Sequence, residues 1–325
     1  MNQRLLALVI GSVVALPAAP ILAEGPTVYG RLDVAQTYVD DDANDDKLWA
    51  VDSYSSRLGI KGELETDSDL TIVYQYELEI DPEEETLNSS DDENFLRARD
   101  QFVGLQSNFG LLRIGRMETP LKDSQGKVDI FNDHEADFKN YFAGENGENR
   151  FGNSVNYTSP EFGPLTAQVA VIQGEDPTGE DNGFADGIST SLAFTQDNIY
   201  AAFGVDQEVD GWDLYRLTGI ATLGDFGAGA LYQMGEESED SSVEMSGWLI
   251  NGFYKLENNI FKIQYSQSEE EEDGASVEDV DMIAVGIDHK LSDPTKLYLE
   301  YTMVTSDTGT ESDRNVLAGG IQHNF

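Results

Sequence analysis

The feature that most constrains this chain is a two-residue alternation of apolar and polar side chains, which recurs from Thr27 to the last residue. In TIVYQYELEI, Ile72 and Tyr74 share one parity, and Gln75 and Glu77 share the other. The alternation continues through the final GGIQHNF. Successive side chains of a β-strand point to opposite faces, so each such stretch predicts a strand with one apolar and one polar face. The chain is expected to end inside a strand.

The segments between these strands are of two kinds that alternate along the chain. Short segments with turn chemistry begin at Thr66, Ser107, Pro160, Gln196, Gly224, Glu257 and Ser292. Longer, strongly acidic segments begin at Asp40, Asp81, Gly174, Val209, Glu236, Ser268 and Ser306, and one more follows Arg116. Seven turns and eight loops make 15 connections, which predicts 16 strands with both termini at the same end.

Composition excludes several classes of partner and chemistry. A formal net charge of −43 would repel a nucleic-acid backbone, so no nucleic acid is expected as a partner. The absence of cysteine excludes disulfides, thiolate nucleophiles and cysteine zinc sites. His134 beside Asp133 is the only candidate for a catalytic pair, so we predict no enzyme and no cofactor. The segments also lack the spacing of a calcium loop, so the outer acids would bind Mg²⁺ or Ca²⁺ only weakly.

The amino terminus has the pattern of a secretory signal peptide. Arg4 precedes an apolar run from Leu5 to Leu16, and a segment of small residues and proline ends at Ala23. Residues 1–23 are therefore predicted to be cleaved, with the folded part at 24–325. A transmembrane helix is the alternative, but Pro17 and Pro20 interrupt it and no basic cluster follows. The protein is expected to be exported.

A closed barrel follows from the strands if they cross a membrane. In hydrocarbon every backbone donor and acceptor needs an internal partner, so a spanning sheet has no free edge. We predict an all-β fold, a 16-stranded antiparallel transmembrane β-barrel with the apolar parity toward lipid. The last strand, with Ile321, His323 and Phe325, would pair with the first strand near Thr27–Tyr38, and Phe325 would face lipid. A soluble β-sandwich is the alternative, but most strands have a polar face rich in charges and amides.

Several segments together resemble a known family. They are TVYGRLDV at Thr27, SSRLGIKGELE at Ser55, QFVGLQSNFGLLRIGRMETPLKD at Gln101 and NRFGNSVNYTSPEFGPL at Asn149, together with the terminal Phe325. In this order they resemble the general diffusion porins of Gram-negative outer membranes. The resemblance implies a trimeric barrel in the bacterial outer membrane whose third long loop folds into the lumen. Acidic residues on that loop would face a basic cluster on the wall.

The third loop is assigned to residues 117–149, the longest stretch without regular alternation. Phe131, Phe138, Tyr141 and Phe142 give it apolar side chains to pack, which favours an ordered constriction loop. The resemblance places the loop's acidic residues at Asp123, Asp129 and Asp133. Glu135 and Asp137 are interpreted as ordinary solvated acids.

Parity and the resemblance together identify the opposite wall. Leu32 and Leu58 share the apolar parity, so Arg31 and Arg57 would point into the lumen. If Phe102 points outward, Arg99 points inward, and Arg150 opens the strand after the loop. Arg31, Arg57, Arg99 and Arg150 match the family's basic cluster, although some could pair with Asp33 and Glu63 instead. Arg116 follows the outward parity, so we expect it at a subunit contact with a neighbour's acidic second loop.

These expectations amount to a water-filled channel for passive diffusion of small hydrophilic solutes and ions. Opposed carboxylates and guanidiniums would set a transverse field across the narrow part. The excess of outer carboxylates predicts a weak preference for cations. A homotrimer, outer-membrane lipid and lipopolysaccharide are the expected partners. Two alternatives stay open at this point: a substrate-selective channel on the same barrel, and a secreted acidic β-protein that binds divalent cations or a surface.

Overall fold

The computed structural model describes residues 25–42, 46–81, 95–174, 183–307 and 311–325. The predicted signal peptide, residues 1–23, lies outside the described residues, as does most of the acidic second outer loop. Within the described ranges the strand segments are β1 (Thr27–Asp41), β2 (Asp46–Ser53), β3 (Arg57–Glu65), β4 (Thr71–Ile80), β5 (Leu96–Ser107), β6 (Gly110–Glu118), β7 (Arg150–Thr158), β8 (Leu165–Ile172), β9 (Gly187–Gln196), β10 (Ile199–Val209), β11 (Trp212–Leu223), β12 (Phe226–Glu237), β13 (Val243–Leu256), β14 (Asn259–Glu272), β15 (Ala275–Ser292), β16 (Thr295–Asp307) and β17 (Glu311–Asn324).

The strands close into a ring. Consecutive segments pair antiparallel, apart from β2 and β3, and β17 pairs antiparallel with β1 from Asp41↔Arg314 to Arg31↔Asn324. β2 and β3 both pair with β1 and form one strand interrupted at residues 54–56, where Ser55 has φ 54°. The described segments therefore form a closed 16-stranded antiparallel barrel, and the predicted fold class is confirmed.

The lengths of the connections between strands differ from the prediction at two of the acidic segments predicted to be long loops. The seven predicted short turns all separate consecutive strands. Two predicted long loops, at Val209 and Ser268, are wrong: the chain turns there through Asp210–Gly211 and Asp273–Gly274, and residues 268–272 lie within β14. All four turn residues have positive φ, as a tight Asp-Gly hairpin turn requires. A run of acidic residues can therefore continue a β-strand where that strand extends beyond the membrane into water.

The two faces of the barrel wall differ as the alternation predicts. Leu32 and Leu299 lie on the outer face and are each 52% exposed, whereas the adjacent Asp33 and Glu300 point inward and are at most 2% exposed. Apolar side chains at 40–60% exposure recur around the outside of the barrel, for example Val103, Phe203 and Ile263. The outer surface is therefore suited to lipid and the interior to polar groups. Among the described residues, no helix is long and apolar enough to cross a membrane.

Loop 3, residues 119–149, runs inside the barrel between β6 and β7. It contains a short helix, α1 (Pro120–Ser124), capped by the Thr119 hydroxyl, and a 3-10 turn at Phe138–Asn140. Its apolar side chains pack on the inner wall in two clusters. One joins loop residues Leu121, Val128, Phe138 and Phe142 to Leu214, Leu231, Met245 and Leu249, and the other joins Phe131, Ala136 and Ala143 to Val280, Met282, Ala284 and Val304. The inner faces of β11, β12, β13, β15 and β16 thus supply apolar side chains where loop 3 covers them.

Candidate functional site

The narrow part of the barrel is where the tip of loop 3 meets the wall formed by β1 and β3. The Asp133 carboxylate accepts from Arg31 Nη1 at 2.8 Å and from Arg57 Nη2 at 2.5 Å. Asp133 has φ 69°, in the left-handed region that Asp and Asn tolerate, and its backbone N–H donates to the Asp137 carboxylate at 2.7 Å. A tight turn at the loop tip therefore presents one carboxylate to two guanidiniums.

The charge of Asp133 is fixed by these neighbours. Burial acts to raise its pKa, but the Arg57, Arg99 and Arg31 guanidiniums outweigh burial and hold the pKa of this carboxyl well below its usual range. A depressed pKa means that the ion pair's stabilisation is present above the unfolded value, near 4, and is lost only as the pH falls through the folded value. Asp133 thus stays ionised at neutral and mildly acidic pH.

The other two predicted wall arginines have carboxylate partners of their own. Arg99 donates to Glu77 at 2.7 Å and to Glu79 at 2.8 Å. Arg150 donates to Asp100 at 2.6 Å and to Glu118. All four arginines lie on the lumen side, but each one is paired, and with different acids from Asp33 and Glu63. These four arginines therefore form ion pairs with carboxylates and are not an unpaired basic cluster.

Arg99 points inward as predicted, but Phe102 does not point outward. Val103 and Leu105 face outward, so Phe102 points into the lumen, where the Arg113 guanidinium lies 5.3 Å from its ring centroid. Arg99 also points inward because the β4–β5 register shifts between Tyr76 and Leu78. A β-bulge inserts one residue and reverses the parity beyond it. Single-residue alternation contains no signal for such a bulge.

The structure brings only one of the three predicted loop acids to Arg31 and Arg57. Asp129 is 5% exposed, and it accepts from the backbone N–H groups of Phe131 and Phe138 and from the Gln264 amide. Burial raises its pKa well above the usual range. Its prediction as an acid lining the pore is therefore wrong, because the carboxylate closes a turn within the loop.

Asp123 also lies away from the wall pair. It is on α1, which packs against β9 and β10, and it is half-buried. Burial, followed by the repulsion of Glu118, raises the pKa of Asp123 to about 7. This carboxyl therefore titrates near neutral pH, in contrast to Asp133.

Glu135 and Asp137 are not the solvated acids that the sequence suggested. Asp137 is fully buried, caps the 3-10 turn through the Lys139 backbone N–H and pairs with Lys139 Nζ at 3.0 Å. Glu135 accepts from Arg314 at 3.3 Å. Both acids stabilise the shape of the loop.

Two inward cations that hold loop 3 were missed from the sequence. Arg216 is fully buried, donates to Glu148 Oε1 and to the Asn146 carbonyl, both at 2.6 Å, and lies over the Phe138 ring. Lys262 donates to Glu300 at 2.7 Å and lies over the Phe131 ring at 4.3 Å. The available signal was a cation at inward parity directly after an apolar inward residue, such as Leu214 before Arg216 and Ile260 before Lys262.

The outer-face predictions concern Arg116 and the end of the chain. Arg116 is half-buried on the outer parity, and its Nε donates to the Ala98 carbonyl at 3.2 Å. Most of the second loop lies outside the described residues, so the subunit contact stays a prediction. Phe325 exchanges two backbone hydrogen bonds with Gly30, both 3.0 Å, and is 55% exposed. Ile321 is 47% exposed opposite Val34, and His323 bonds to the Thr295 hydroxyl.

Comparison with known proteins decides the family. A family model described as Gram-negative porin matches residues 6–309. The chain belongs to the Gram-negative porin family. The porin is similar to outer membrane porin protein 32 of Delftia acidovorans, with 25% identity over 99% of this chain and 95% of the relative.

Solved structures share the porin's fold. An anion-selective porin from Comamonas acidovorans matches with a TM-score of 0.76 and 22% identity, over 93% of this chain and 99% of that one. A loop-deletion form of OmpT from Vibrio cholerae matches with a TM-score of 0.74 and 17% identity, over 93% of this chain and 99% of that one. The outer membrane channel DcaP of Acinetobacter baumannii gives 0.72 and 15%, over 92% and 97% of the two chains.

The family and the barrel together make this porin a channel of the bacterial outer membrane. The alternative of a secreted acidic binding protein is therefore replaced. Within the described residues, no group of three or more histidine or acidic side chains is arranged to hold a metal ion.

Proposed function

We propose that this porin is a general diffusion pore for small hydrophilic solutes and ions, with loop 3 as its constriction. The observation that carries the proposal is the position of Asp133, at the loop tip and in contact with Arg31 and Arg57 on the wall. A loop anchored across the lumen in this way would narrow the water path. Selection is then mainly by size and polarity.

The charges of the constriction favour polar solutes over apolar ones. Guanidiniums on β1, β3 and β5 alternate with the carboxylates of Asp133 and Glu77, so a solute passes through a strong local field. A polar solute replaces part of its hydration with these fixed dipoles, whereas an apolar solute gains nothing from them. Because each wall arginine is paired, the constriction itself adds little net charge.

The proposed ion preference is weakly cationic and arises at the outer rim. Near the ends that carry the longer connections, carboxylates lie directly opposite one another on the outer face of neighbouring strands. One row is Asp213, Glu236, Glu244 and Glu271 across β11–β14, and another is Glu269, Asp279 and Asp307 across β14–β16. Such rows produce a negative potential at the mouth that concentrates cations. The sign depends on this chain's own charge, since the similar Comamonas porin is described as anion-selective.

The same rim suggests the remaining partners. Like charges directly opposite on a sheet repel, so Mg²⁺ or Ca²⁺ would screen them weakly and could bridge them to lipopolysaccharide phosphates. A homotrimer is proposed by analogy, because OmpT of Vibrio cholerae, which matches with a TM-score of 0.71, is known in a trimer form. Arg116 on the outer face is the residue proposed for the subunit contact.

Planar-bilayer recording tests the proposal. A general pore gives a conductance that rises in proportion to KCl concentration and is unchanged by micromolar sugars, phosphate or amino acids. Saturating conductance, or block by one of these solutes, would replace it with the substrate-selective alternative. A reversal potential under a KCl gradient that is zero or favours chloride would overturn the cation preference alone.

A further inference from the structure

The histidine next to Asp133 has an unusual environment for an imidazole. His134 is 3% exposed, with Nδ1 2.9 Å from Glu300 Oε2 and Nε2 3.4 Å from Asp33 Oδ2. The Tyr54 ring stacks on it at 5.1 Å, and the Tyr298 ring lies at 4.6 Å. A neutral imidazole has one N–H and would turn a lone pair toward one of these carboxylates, so only the imidazolium satisfies both.

The two carboxylates belong to the seam where the barrel closes. Asp33 is on β1 and Glu300 is on β16, and β17 lies between these strands in the closed sheet. Asp33 also accepts from the Tyr298 hydroxyl at 2.7 Å and from the Gln322 amide of β17. A single loop side chain therefore connects β1 to β16 across the closure, and Asp33 connects this contact to β17.

The charges around His134 balance only when it is protonated. His134 contacts Asp33 of β1, Tyr298 and Glu300 of β16, and Tyr54 of the break between β2 and β3. Salt bridges continue from Glu300 to Lys262 of β14, from Lys262 to Asp288 of β15, and from Asp288 to Lys296 of β16. The three carboxylates are offset by the two lysines and the imidazolium. On the loop itself, Asp133, Glu135 and Asp137 are each paired with another cation.

We propose that His134 is the positioning residue of the constriction, an imidazolium that latches the tip of loop 3 to the closure seam and so sets where Asp133 meets Arg31 and Arg57. The latch holds while the ring carries its proton and loosens in alkaline solution. The inference rests on the proposed pore function, since loop position is read through conductance.

The direction of the pH effect follows from the contacts. Burial alone would lower the pKa of His134, but Glu300 and Asp33 outweigh it and raise the pKa above its ordinary value. The latch therefore contributes its full stabilisation below about pH 6.5 and loses it as the pH rises through the raised pKa. When His134 loses its proton, the charge-assisted hydrogen bonds of the ring weaken. The fraction of molecules in which the tip of loop 3 is detached should then rise about tenfold or more.

Two measurements on the full-length porin test the inference. Single-channel records between pH 6 and pH 9.5 are compared for wild type, His134→Gln and His134→Lys. Wild type should become noisier and shift in conductance at alkaline pH, His134→Gln should show that behaviour already at pH 6, and His134→Lys should flatten the profile. His289→Gln and His323→Gln, at outer-face or exposed positions, are matched controls that should follow wild type.

The second measurement is hydrogen exchange of the wild-type porin. It uses no variant, so its result does not depend on whether a variant folds. After correction for the intrinsic pH dependence, exchange of peptides from 128–138 should rise about tenfold or more between pH 6 and pH 9.5, while β11–β13 stay protected. Wild-type channels with pH-independent noise and exchange would overturn the latch but leave the pore intact. Absence of any channel steps would instead refute the proposed function.

Discussion

Asp133→Asn is the sharpest test of the constriction, because it removes one charge and little else. The φ of 69° at Asp133 is tolerated by Asn, so the turn keeps its backbone conformation. The amide has the same shape, and its oxygen still accepts a hydrogen bond from Arg31 or Arg57. The variant therefore leaves two guanidiniums facing the lumen with no carboxylate between them.

The size of the effect follows from Coulomb's law in a wet channel. A unit charge about 7 Å from a passing ion contributes about 0.6 kcal/mol in water, which is close to RT. At 0.1 M salt the Debye length of about 10 Å roughly halves this energy. In the variant a cation loses this halved attraction and an anion no longer meets the equal repulsion. The cation-to-anion permeability ratio should therefore fall about 2.7-fold. At 1 M salt, with a Debye length of about 3 Å, the change shrinks to about 1.2-fold.

Reversal potentials at the two salt levels provide the measurement. Asp225→Asn is the matched control, with the same charge change in the exposed β11–β12 turn. The reasoning is refuted if Asp133→Asn leaves the ratio at 0.1 M unchanged, if the shift is equally large at 1 M, or if the Asp225 variant reproduces it. A general loss of channel activity would point to loop collapse, which exchange of the loop peptides would reveal.

Three further predictions follow from single contacts. Because the pKa of Asp123 is raised to about 7, cation preference should increase between pH 6 and pH 8, and thermal stability should fall as pH rises from about 4 to 7; Asp123→Asn should flatten both profiles. Arg216→Met should destabilise loop 3 by about 3 kcal/mol, since it leaves the buried Glu148 carboxylate with only the more distant Lys122 Nζ at 3.8 Å, and Glu148→Gln in the same chain should restore part of the loss in a thermal melt. Deleting Phe325 removes two closure hydrogen bonds to Gly30 and should slow refolding into vesicles, measured by gel mobility, more than Phe325→Ala does.

Most of the fold was predictable because a strand that spans a membrane is nearly periodic. Each strand must turn one face to lipid and the other to water, so parity alone gave the orientations of Leu32, Asp33 and Glu300. Parity failed at the bulge near Arg99 and in β13, where Leu249 inside and Ile250 outside are both apolar. In β13 the inward face packs against loop 3, which the strand's own sequence does not indicate.

The constriction was less predictable because loop 3 is not periodic. Its carboxylates look equivalent in the sequence, yet Asp129 closes a turn, Asp137 caps a 3-10 turn and Asp133 faces the wall. Those roles depend on backbone hydrogen bonds that form only once the loop is packed. Likewise, Arg216 and His134 acquire partners more than 60 residues away in sequence, which no local pattern indicates.

The packing of loop 3 limits how this porin can change its conductance. Leu121, Val128, Phe131 and Phe138 are at most 1% exposed against the inner wall. Exposing a buried side chain of this size costs about 1.5–3 kcal/mol, so lifting all four off the wall would cost roughly 6–12 kcal/mol. A state that unfavourable has a population below about one in ten thousand. Movement of the whole loop is therefore too rare to regulate permeation, and a pH-dependent change in loop position must arise from the tip, where polar contacts of Asp133 and His134 hold the chain.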